Sequence, residues 1–285
     1  MAGAARRLLD VRNRRLERVI FVATTGRSGT LTLVRLFQVV PGTVALHEPY
    51  PAMHDDVLHA AARGDTAFVA RAYWSRKAVN IRRAAAGHRY YLEANHLFIK
   101  VFLEQAVDDF GDRLRVIHLV REPVAVANSI YRLGDWPGTE EGNRWWLDHH
   151  APTNRIRLAE PLEEDPEFSH PFYRGLWYWC EVETRIAEAR RRYPHLPFVP
   201  FQTRWFNDLH RVAGLMEALG LEVDRETLAS RVGRREHGRE HQKRRPGLPE
   251  EEGLARLERF AALLEERGYP QAAHRLRQGQ HLAGT

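Results

Sequence analysis

A glycine-rich turn, Thr24-Thr25-Gly26-Arg27-Ser28-Gly29, is the stretch whose residue types are best suited to bind an anion. It follows an apolar run of strand length, Val19–Ala23. Apolar residues then recur at helical spacing at Leu33, Leu36, Phe37 and Val40. The first N–H groups of a helix have no partner inside it and lie at the positive end of its dipole. The strand, turn and helix therefore predict a phosphate-binding turn, in which the two glycines let the main chain approach the ligand.

This turn differs from the two common nucleotide-binding loops. In the kinase-type loop, G-x-x-x-x-G-K-[ST], a lysine follows the second glycine and serves the phosphates. Here Gly26 and Gly29 are only three positions apart and Thr30 follows Gly29. The dinucleotide fingerprint G-x-G-x-x-G is also absent. Taken alone, the stretch is compatible with a phosphate site and with a turn that binds nothing.

A second strand-to-helix unit favours the phosphate site. The segment 114–121 is an apolar strand ending in Arg121, and a helix is predicted from Glu122-Pro123 to about Leu133. Arg121 falls at the carboxyl end of its strand, where ligands bind in open α/β sheets. Ser129 lies on the following helix, on the face opposite Val124. Two such strand ends predict a ligand with two separated phosphates.

These two stretches together resemble the sulfotransferase family. Thr25–Thr30 is similar to its 5′-phosphosulfate loop, and Val116–Tyr131 is similar to its 3′-phosphate motif. The resemblance covers Val19 to about Leu221 and is closer to the carbohydrate and tyrosylprotein branches than to the cytosolic drug and hormone branch. It implies a donor, 3′-phosphoadenosine-5′-phosphosulfate, whose binding residues in this sequence are Gly26, Arg27, Ser28, Gly29, Thr30, Leu31, Arg121 and Ser129. Arg121 and Ser129 match the positions that bind the 3′-phosphate.

The turn departs from the family in two ways. Leu31 stands where the family usually has a second hydroxyl, with Thr32 as a substitute one position later. The tryptophan that stacks on adenine in the cytosolic branch is also missing from this turn. We therefore expect donor binding to depend more on charge than on stacking.

The resemblance offers two candidates for the catalytic base, Glu48 and His96. Glu48 lies in Thr43–Tyr50, which is predicted as a short strand that runs out into a loop. Its Glu-Pro context is similar to that of the catalytic base in the carbohydrate branch. His96 precedes the Arg121 strand, near the place of the catalytic histidine in the cytosolic branch. Either residue could take the proton of an attacking hydroxyl, and His96 could instead orient the acceptor or be a core histidine. Arg27 is the third predicted catalytic residue, since its charge and the N–H groups of the turn would stabilise the leaving phosphate.

Composition and element order predict the architecture. The chain has 285 residues, a net charge of +6 and one cysteine, Cys180, which excludes an internal disulfide and a cysteine-based zinc site. We expect one α/β domain over 1–285, a central parallel sheet with helices on both faces. Further predicted parts are a basic segment at 1–17, a helical insert at 54–86 over the acceptor side, a helix at 170–193, a strand at 197–202, a helix at about 205–219, a basic loop at 231–249 and C-terminal helices at 250–280.

The sequence leaves the acceptor and the alternatives to sulfuryl transfer open. Five tryptophans between Gly134 and Trp179 would suit sugar or aromatic acceptors, or belong to the core. The acidic stretch Glu160–Glu167 argues against nucleic acid, and no stretch approaches the ~20 apolar residues of a membrane span. We expect a metal-independent cytoplasmic enzyme for a sugar or other small alcohol or phenol, with no membrane partner. The alternatives are a P-loop-like phosphotransferase and an inactive basic binding protein on the same fold; oligomeric state is not predicted.

Overall fold

The computed structural model describes residues 13–234 and 245–281, and its centre is a sheet of five strands. In chain order these are β1 (Arg18–Ala23), β2 (Thr43–His47), β3 (Tyr90–Ala94), β4 (Leu114–Val120) and β5 (Phe198–Gln202). All neighbouring pairs are parallel, and the order across the sheet is β2-β3-β1-β4-β5. The predicted parallel α/β sheet is confirmed.

The central position of β1 fixes the place of the candidate site. In the register of the sheet, Phe21 of β1 pairs with Glu93 of β3 on one side and with Val116 of β4 on the other. The chain leaves β1 toward β2 and leaves β4 toward β5, in opposite directions. Ligands in open α/β sheets bind at such a switch point, outside the carboxyl ends of the strands. The turn after β1 and Arg121 after β4 therefore lie at the same edge.

Helices cover both faces of the sheet. They are α1 (Thr30–Phe37), α2 (Asp56–Arg63), α3 (Thr66–Ala72), α4 (Ala78–Ala84), α5 (Leu103–Phe110), α6 (Pro123–Leu133), α7 (Glu140–Asn143), α8 (Ala159–Glu164), α9 (Pro171–Arg192), α10 (Leu209–Leu219), α11 (Arg225–Ala229), α12 (Glu250–Glu266) and α13 (Pro270–His281). π-helical turns occupy Tyr73–Lys77 and Phe98–Phe102, and 3₁₀ turns occupy Gly111–Arg113 and Thr203–Asn207.

The alternation of side chains along β1 divides the core into two clusters. Ile20 and Val22 pack with α1 and α10 on one face, where the predicted α1 stripe of Leu33, Leu36, Phe37 and Val40 is buried. Phe21 faces the larger cluster, in which α5, α6, α9, α12 and α13 pack together. Helix α9 runs through this cluster with Trp177 fully buried. The predicted helices on both faces are thus confirmed.

Some predicted boundaries differ from the structure. The helix expected from about Trp205 begins at Leu209, because Thr203–Asn207 forms a 3₁₀ turn and the Asp208 side chain caps the helix by accepting from His210 N and Arg211 N. On α12, Leu257, Phe260 and Leu264 are buried as expected, but Leu254 is 37% exposed. Most of the basic segments 1–17 and 231–249 lies outside the described residues. No helix within 13–234 and 245–281 has the length and apolar character needed to cross a bilayer.

Candidate active site

The turn after β1 has the backbone conformation of an anion-binding loop. Gly26, Arg27 and Gly29 all have positive φ angles, 78°, 57° and 82°. Gly29 precedes α1 directly as its N-cap and has no side chain to satisfy the first N–H groups of the helix. Backbone that alternates between left- and right-handed conformations brings successive N–H groups into a concavity that binds anions. The turn can therefore hold a phosphate-type oxyanion through its main chain.

Hydroxyl groups fix the shape of this turn. Thr25 Oγ1 and Ser28 Oγ donate to the Gly26 carbonyl at 2.8 and 3.0 Å. Thr203, which follows β5, donates through Oγ1 to the Ser28 carbonyl at 2.8 Å. Ser28 is fully buried, so its hydroxyl shapes the turn from the inside. Nothing in the sequence indicated this inward orientation or the part played by Thr203.

The second predicted motif meets the turn directly. Arg121 donates through a guanidinium nitrogen to the Arg27 carbonyl at 2.7 Å, and Arg27 Nε donates to Ser129 Oγ at 3.0 Å. The Arg121 carbonyl accepts from the Trp179 indole of α9 at 3.0 Å. Guanidinium groups bind phosphate with strong charge-assisted hydrogen bonds. Arg27, Arg121 and Ser129 are thus brought together, as the spacing of the two motifs predicted, in a place suited to a second anion.

The other predicted donor residues lie at the start of α1. Thr30 Oγ1 is 2.9 Å from His47 Nε2, and Leu31 is half-buried. Thr32 lines a shallow surface depression together with Phe206 and the basic side chains of Arg35, Arg231 and Arg234. The residue whose hydroxyl could stand in for the one missing at Leu31 therefore lies next to the beginning of the basic segment.

The far end of that basic segment lies over α6. The Arg245 guanidinium is 5.2 Å from the centre of the Tyr131 ring and 4.7 Å from that of Trp136. Cation–π contacts of this kind hold an arginine by its flat face. The stretch 235–244, for which the sequence predicted a basic loop, lies outside the described residues.

Glu48 lies just beyond β2 in a strained backbone conformation. Its φ is +45°, its N–H donates to the Ala94 carbonyl at 3.1 Å, and its side chain is 18% exposed. A non-glycine residue in this region costs about 1–3 kcal/mol and persists only where the surroundings hold it. The carboxylate is thus delivered to the carboxyl edge of the sheet by a loop that must be held in place.

A buried polar network holds this loop. Glu93 of β3 is fully buried and pairs with Lys77 at 2.5 Å, while Tyr91 and Asn95 donate to it at 2.6 and 2.8 Å. Lys77 also donates to the Pro49 carbonyl at 3.3 Å, and Asn95 donates to the Ala52 carbonyl at 3.1 Å. The network therefore ties the residues that follow Glu48 to β3. A glutamate inside the apolar strand Tyr90–Ala94 was the one sign of it in the sequence.

His96 belongs to the same cluster as Glu48. His96 Nε2 is 3.4 Å from Glu48 Oε1, and its Nδ1 is 2.8 Å from Lys100 Nζ. A Cβ added to Gly26 would lie 3.3 Å from His96 Cγ, so the imidazole packs directly on the phosphate turn. The two residues that the sequence offered as competing bases are therefore neighbours beside the turn.

Lys100 contacts the Nδ1 side of His96. Its Nζ is buried, donates to Tyr178 Oη at 2.6 Å and to the Trp145 carbonyl at 3.3 Å, and has His96 Nδ1 as a third neighbour. Burial lowers the pKa of Lys100 well below its ordinary range, an effect that the charge of Glu48 opposes. When Lys100 donates to Nδ1, neutral His96 carries its proton on Nε2, the atom facing Glu48. In that state His96 orients the carboxylate, and Glu48 is the group able to accept a proton.

The tryptophans divide between this cluster and the core. Trp145 and Trp146 lie beside His96, with ring centroids 6.3 and 5.1 Å from it. Trp177 and Trp179 are buried in the core. Trp145 is only half-buried and also contacts the His54 ring at 4.3 Å. It is therefore the tryptophan best placed to meet an acceptor.

Cys180 and the metal-type side chains lie in other parts of the fold. Cys180 is buried in α9, and burial raises the pKa of its thiol, as expected of a core cysteine. Within the described part of the chain, Asp148, His149 and His150 form a group whose possible ligand atoms lie within 4.8 Å of one another. They belong to the loop between α7 and α8.

Comparison with known proteins gives a distant structural likeness. No family model matches the sequence, and no curated protein sequence matches it. Among solved structures, the chain is similar to a sulfotransferase domain from the curacin biosynthetic pathway, with 14% sequence identity and a TM-score of 0.49. The match covers 80% of this chain and 82% of that domain. A likeness this distant concerns the arrangement of the fold and does not assign an activity.

Proposed function

We propose that this chain is a sulfotransferase that moves a sulfuryl group from 3′-phosphoadenosine-5′-phosphosulfate to an acceptor hydroxyl. The observation that carries the proposal is the position of His96, which packs on Gly26 of the anion-binding turn and faces Glu48 at 3.4 Å. A carboxylate suited to accept a proton thus lies beside a cradle suited to hold the leaving phosphate.

The donor would be held by the two motifs that meet at the switch point. The N–H groups of Gly26–Thr30 and the charge of Arg27 suit the 5′-phosphosulfate, with Leu31 flanking them. Arg121 and Ser129, which contact Arg27 directly or through its carbonyl, suit the 3′-phosphate. Fixed N–H dipoles and a guanidinium stabilise charge that develops on the leaving phosphate, which is usually the largest contribution such a site makes.

Transfer needs one proton acceptor. The acceptor oxygen forms a bond to sulfur, the bond from sulfur to the 5′-phosphate oxygen breaks, and the proton of the acceptor hydroxyl goes to Glu48. A positioned general base of this kind contributes about 10²–10⁴-fold in rate. His96, with its proton on Nε2, would hold the Glu48 carboxylate toward the acceptor.

The acceptor would be a sugar or another small alcohol or phenol. Trp145 offers a half-buried aromatic surface next to His96, and Tyr50, two residues beyond Glu48, is 75% exposed. Flat aromatic side chains with one polar edge pack against rings that carry hydroxyls. Both residues would offer aromatic surface near the proposed base.

The test is transfer itself, read by mass spectrometry. Purified chain is incubated with the donor and a panel of sugars, phenols and peptides, and a product heavier by one sulfuryl group is expected in at least one reaction. Adenosine 3′,5′-bisphosphate should stabilise the folded chain by mass action, and ATP with Mg²⁺ much less. Equal stabilisation by both ligands would point to a phosphotransferase, and bisphosphate binding without transfer to any acceptor would point to an inactive binding protein.

A further inference from the structure

Two adjacent histidines between α7 and α8 converge on one carboxylate. His149 Nε2 and His150 Nε2 lie 3.0 and 2.8 Å from the same atom, Glu163 Oε1, and their ring centroids are 4.4 Å apart. Glu163 belongs to α8, so the three side chains join this helix to the loop before it. The proposed transfer reaction uses none of them.

Hydrogen bonding between Glu163 and two neutral histidines leaves this cluster unsatisfied. If both neutral histidines donate to Glu163, each has its proton on Nε2, and the Nδ1 atom of His149 becomes a bare acceptor. The His149 side chain is 0% exposed, and its Nδ1 has no hydrogen-bond partner among the described residues. Two charged groups lie beside the ring: Asp148, whose Oδ1 at 3.6 Å is also an acceptor, and the Arg174 guanidinium. A buried acceptor facing a carboxylate is unfavourable.

A metal ion on the Nε2 side resolves this conflict. A metal bound to His149 Nε2 moves the imidazole proton to Nδ1, where it faces Asp148. Metal-bound histidines usually donate their second N–H to a carboxylate, which fixes the tautomer. Asp148 is itself held in place, since its Oδ2 accepts from Asn143 at 3.0 Å and its Oδ1 accepts from the His150 backbone N–H at 2.9 Å. The supporting residues of a metal site are therefore present.

We propose that His149 Nε2, His150 Nε2 and Glu163 Oε1 bind a zinc ion, with Asp148 orienting His149. Two imidazoles and one carboxylate suit Zn²⁺, and three protein ligands leave a fourth position for water. Ligands of a tetrahedral zinc at ordinary bond lengths lie ~3.3 Å apart. Zinc binding would therefore lengthen the two nitrogen–oxygen distances of 2.8 and 3.0 Å slightly, and it would bring the two Nε2 atoms to a similar separation.

The surroundings permit zinc to enter and to remain. The side chains of His150 and Glu163 are 51% and 39% exposed, which opens one side of the cluster to solvent. The ion would tie α8 to the loop and would have no part in sulfuryl transfer.

The test is metal binding by the full chain prepared without a polyhistidine tag. Isothermal titration calorimetry with Zn²⁺ should show one binding site per chain. Bound Zn²⁺ should also raise the unfolding temperature of the chain. Co²⁺ in the same site should give the visible absorption bands of a four-coordinate ion. Cys180 is buried in α9, so no thiolate contributes to these bands.

Variants decide whether the site is the one described. His150→Ala and Glu163→Gln alter exposed side chains and should fold normally, yet each should abolish the cobalt bands. Asp148→Asn should lower the zinc affinity by about 10–100-fold. His195→Gln removes an exposed histidine elsewhere and should change nothing. Absence of one-site Zn²⁺ binding, or cobalt bands that persist in both ligand variants, would overturn the proposal.

Discussion

The buried ion pair beneath the Glu48 loop allows a quantitative prediction. Lys77 and Glu93 are 1% and 0% exposed and 2.5 Å apart. Lys77→Met leaves the Glu93 carboxylate buried with hydrogen bonds from Tyr91 and Asn95 but without its counter-ion. Removing one member of a buried pair costs about 3–5 kcal/mol, a large part of the roughly 5–15 kcal/mol by which a domain is stable.

Removing both charges should restore much of this loss. The double variant Lys77→Met/Glu93→Gln has no unpaired charge, and replacing a buried pair with neutral groups is often nearly neutral. We expect the double variant to be no less stable than either single variant, which requires a coupling energy of at least about 3 kcal/mol.

Urea unfolding of the wild type, both single variants and the double variant measures these free energies. Arg89→Gln is the control for an exposed ion pair, because Arg89 pairs with Glu17 at 2.7 Å and with Glu222 at 2.9 Å on the protein surface, where such pairs contribute little to stability. The account of the network would be refuted if the single variants lost no more unfolding free energy than this control. It would also be refuted if the two losses simply added in the double variant.

Three further predictions concern the proposed reaction. Glu48→Gln should lower turnover by about 10²–10⁴-fold while leaving the affinity for adenosine 3′,5′-bisphosphate within a few-fold of wild type. His96→Asn should lower turnover less. The reverse ranking of the two variants would make His96 the base. Arg121→Ala should weaken bisphosphate binding by about 1.5–3 kcal/mol, with little effect on the binding of an analogue without the 3′-phosphate. Equal losses of affinity for both ligands, measured by calorimetry, would show that Arg121 does not bind the 3′-phosphate. Transfer should survive EDTA, because the proposed zinc site lies outside the reacting groups; activity lost in EDTA and restored by Mg²⁺ would favour a phosphotransferase.

The parts of the site that follow from local pattern could be predicted from the sequence. The strand, glycine turn and helix around Gly26 are set by residues close together in the chain, and Arg121 is placed by the end of its own strand. Parallel neighbouring strands have their carboxyl ends at the same edge of the sheet, so the ends of β1 and β4 lie together. The bond between Arg27 and Ser129 follows from that adjacency.

The supporting residues could not be predicted, because their positions depend on the order of the strands. Lys100 lies four residues beyond His96, but it reaches Tyr178 only because the π-helical turn after β3 packs against α9. Lys77 reaches Glu93 because the helical insert folds back over β3. The sequence likewise presented Glu48 and His96 as alternatives, since nothing in their spacing shows that β2 and β3 are adjacent.

Helix α9 contacts both halves of the candidate site through consecutive residues. Tyr178 accepts from Lys100 on the side of the base, and Trp179 donates to the Arg121 carbonyl on the side of the second anion. A displacement of about 1 Å between reacting groups can cost 10²-fold in rate, so this shared support keeps the two sides in register as one unit. The Trp145 side chain can therefore be exchanged, and with it the proposed acceptor, while the Trp145 carbonyl keeps its hydrogen bond from Lys100.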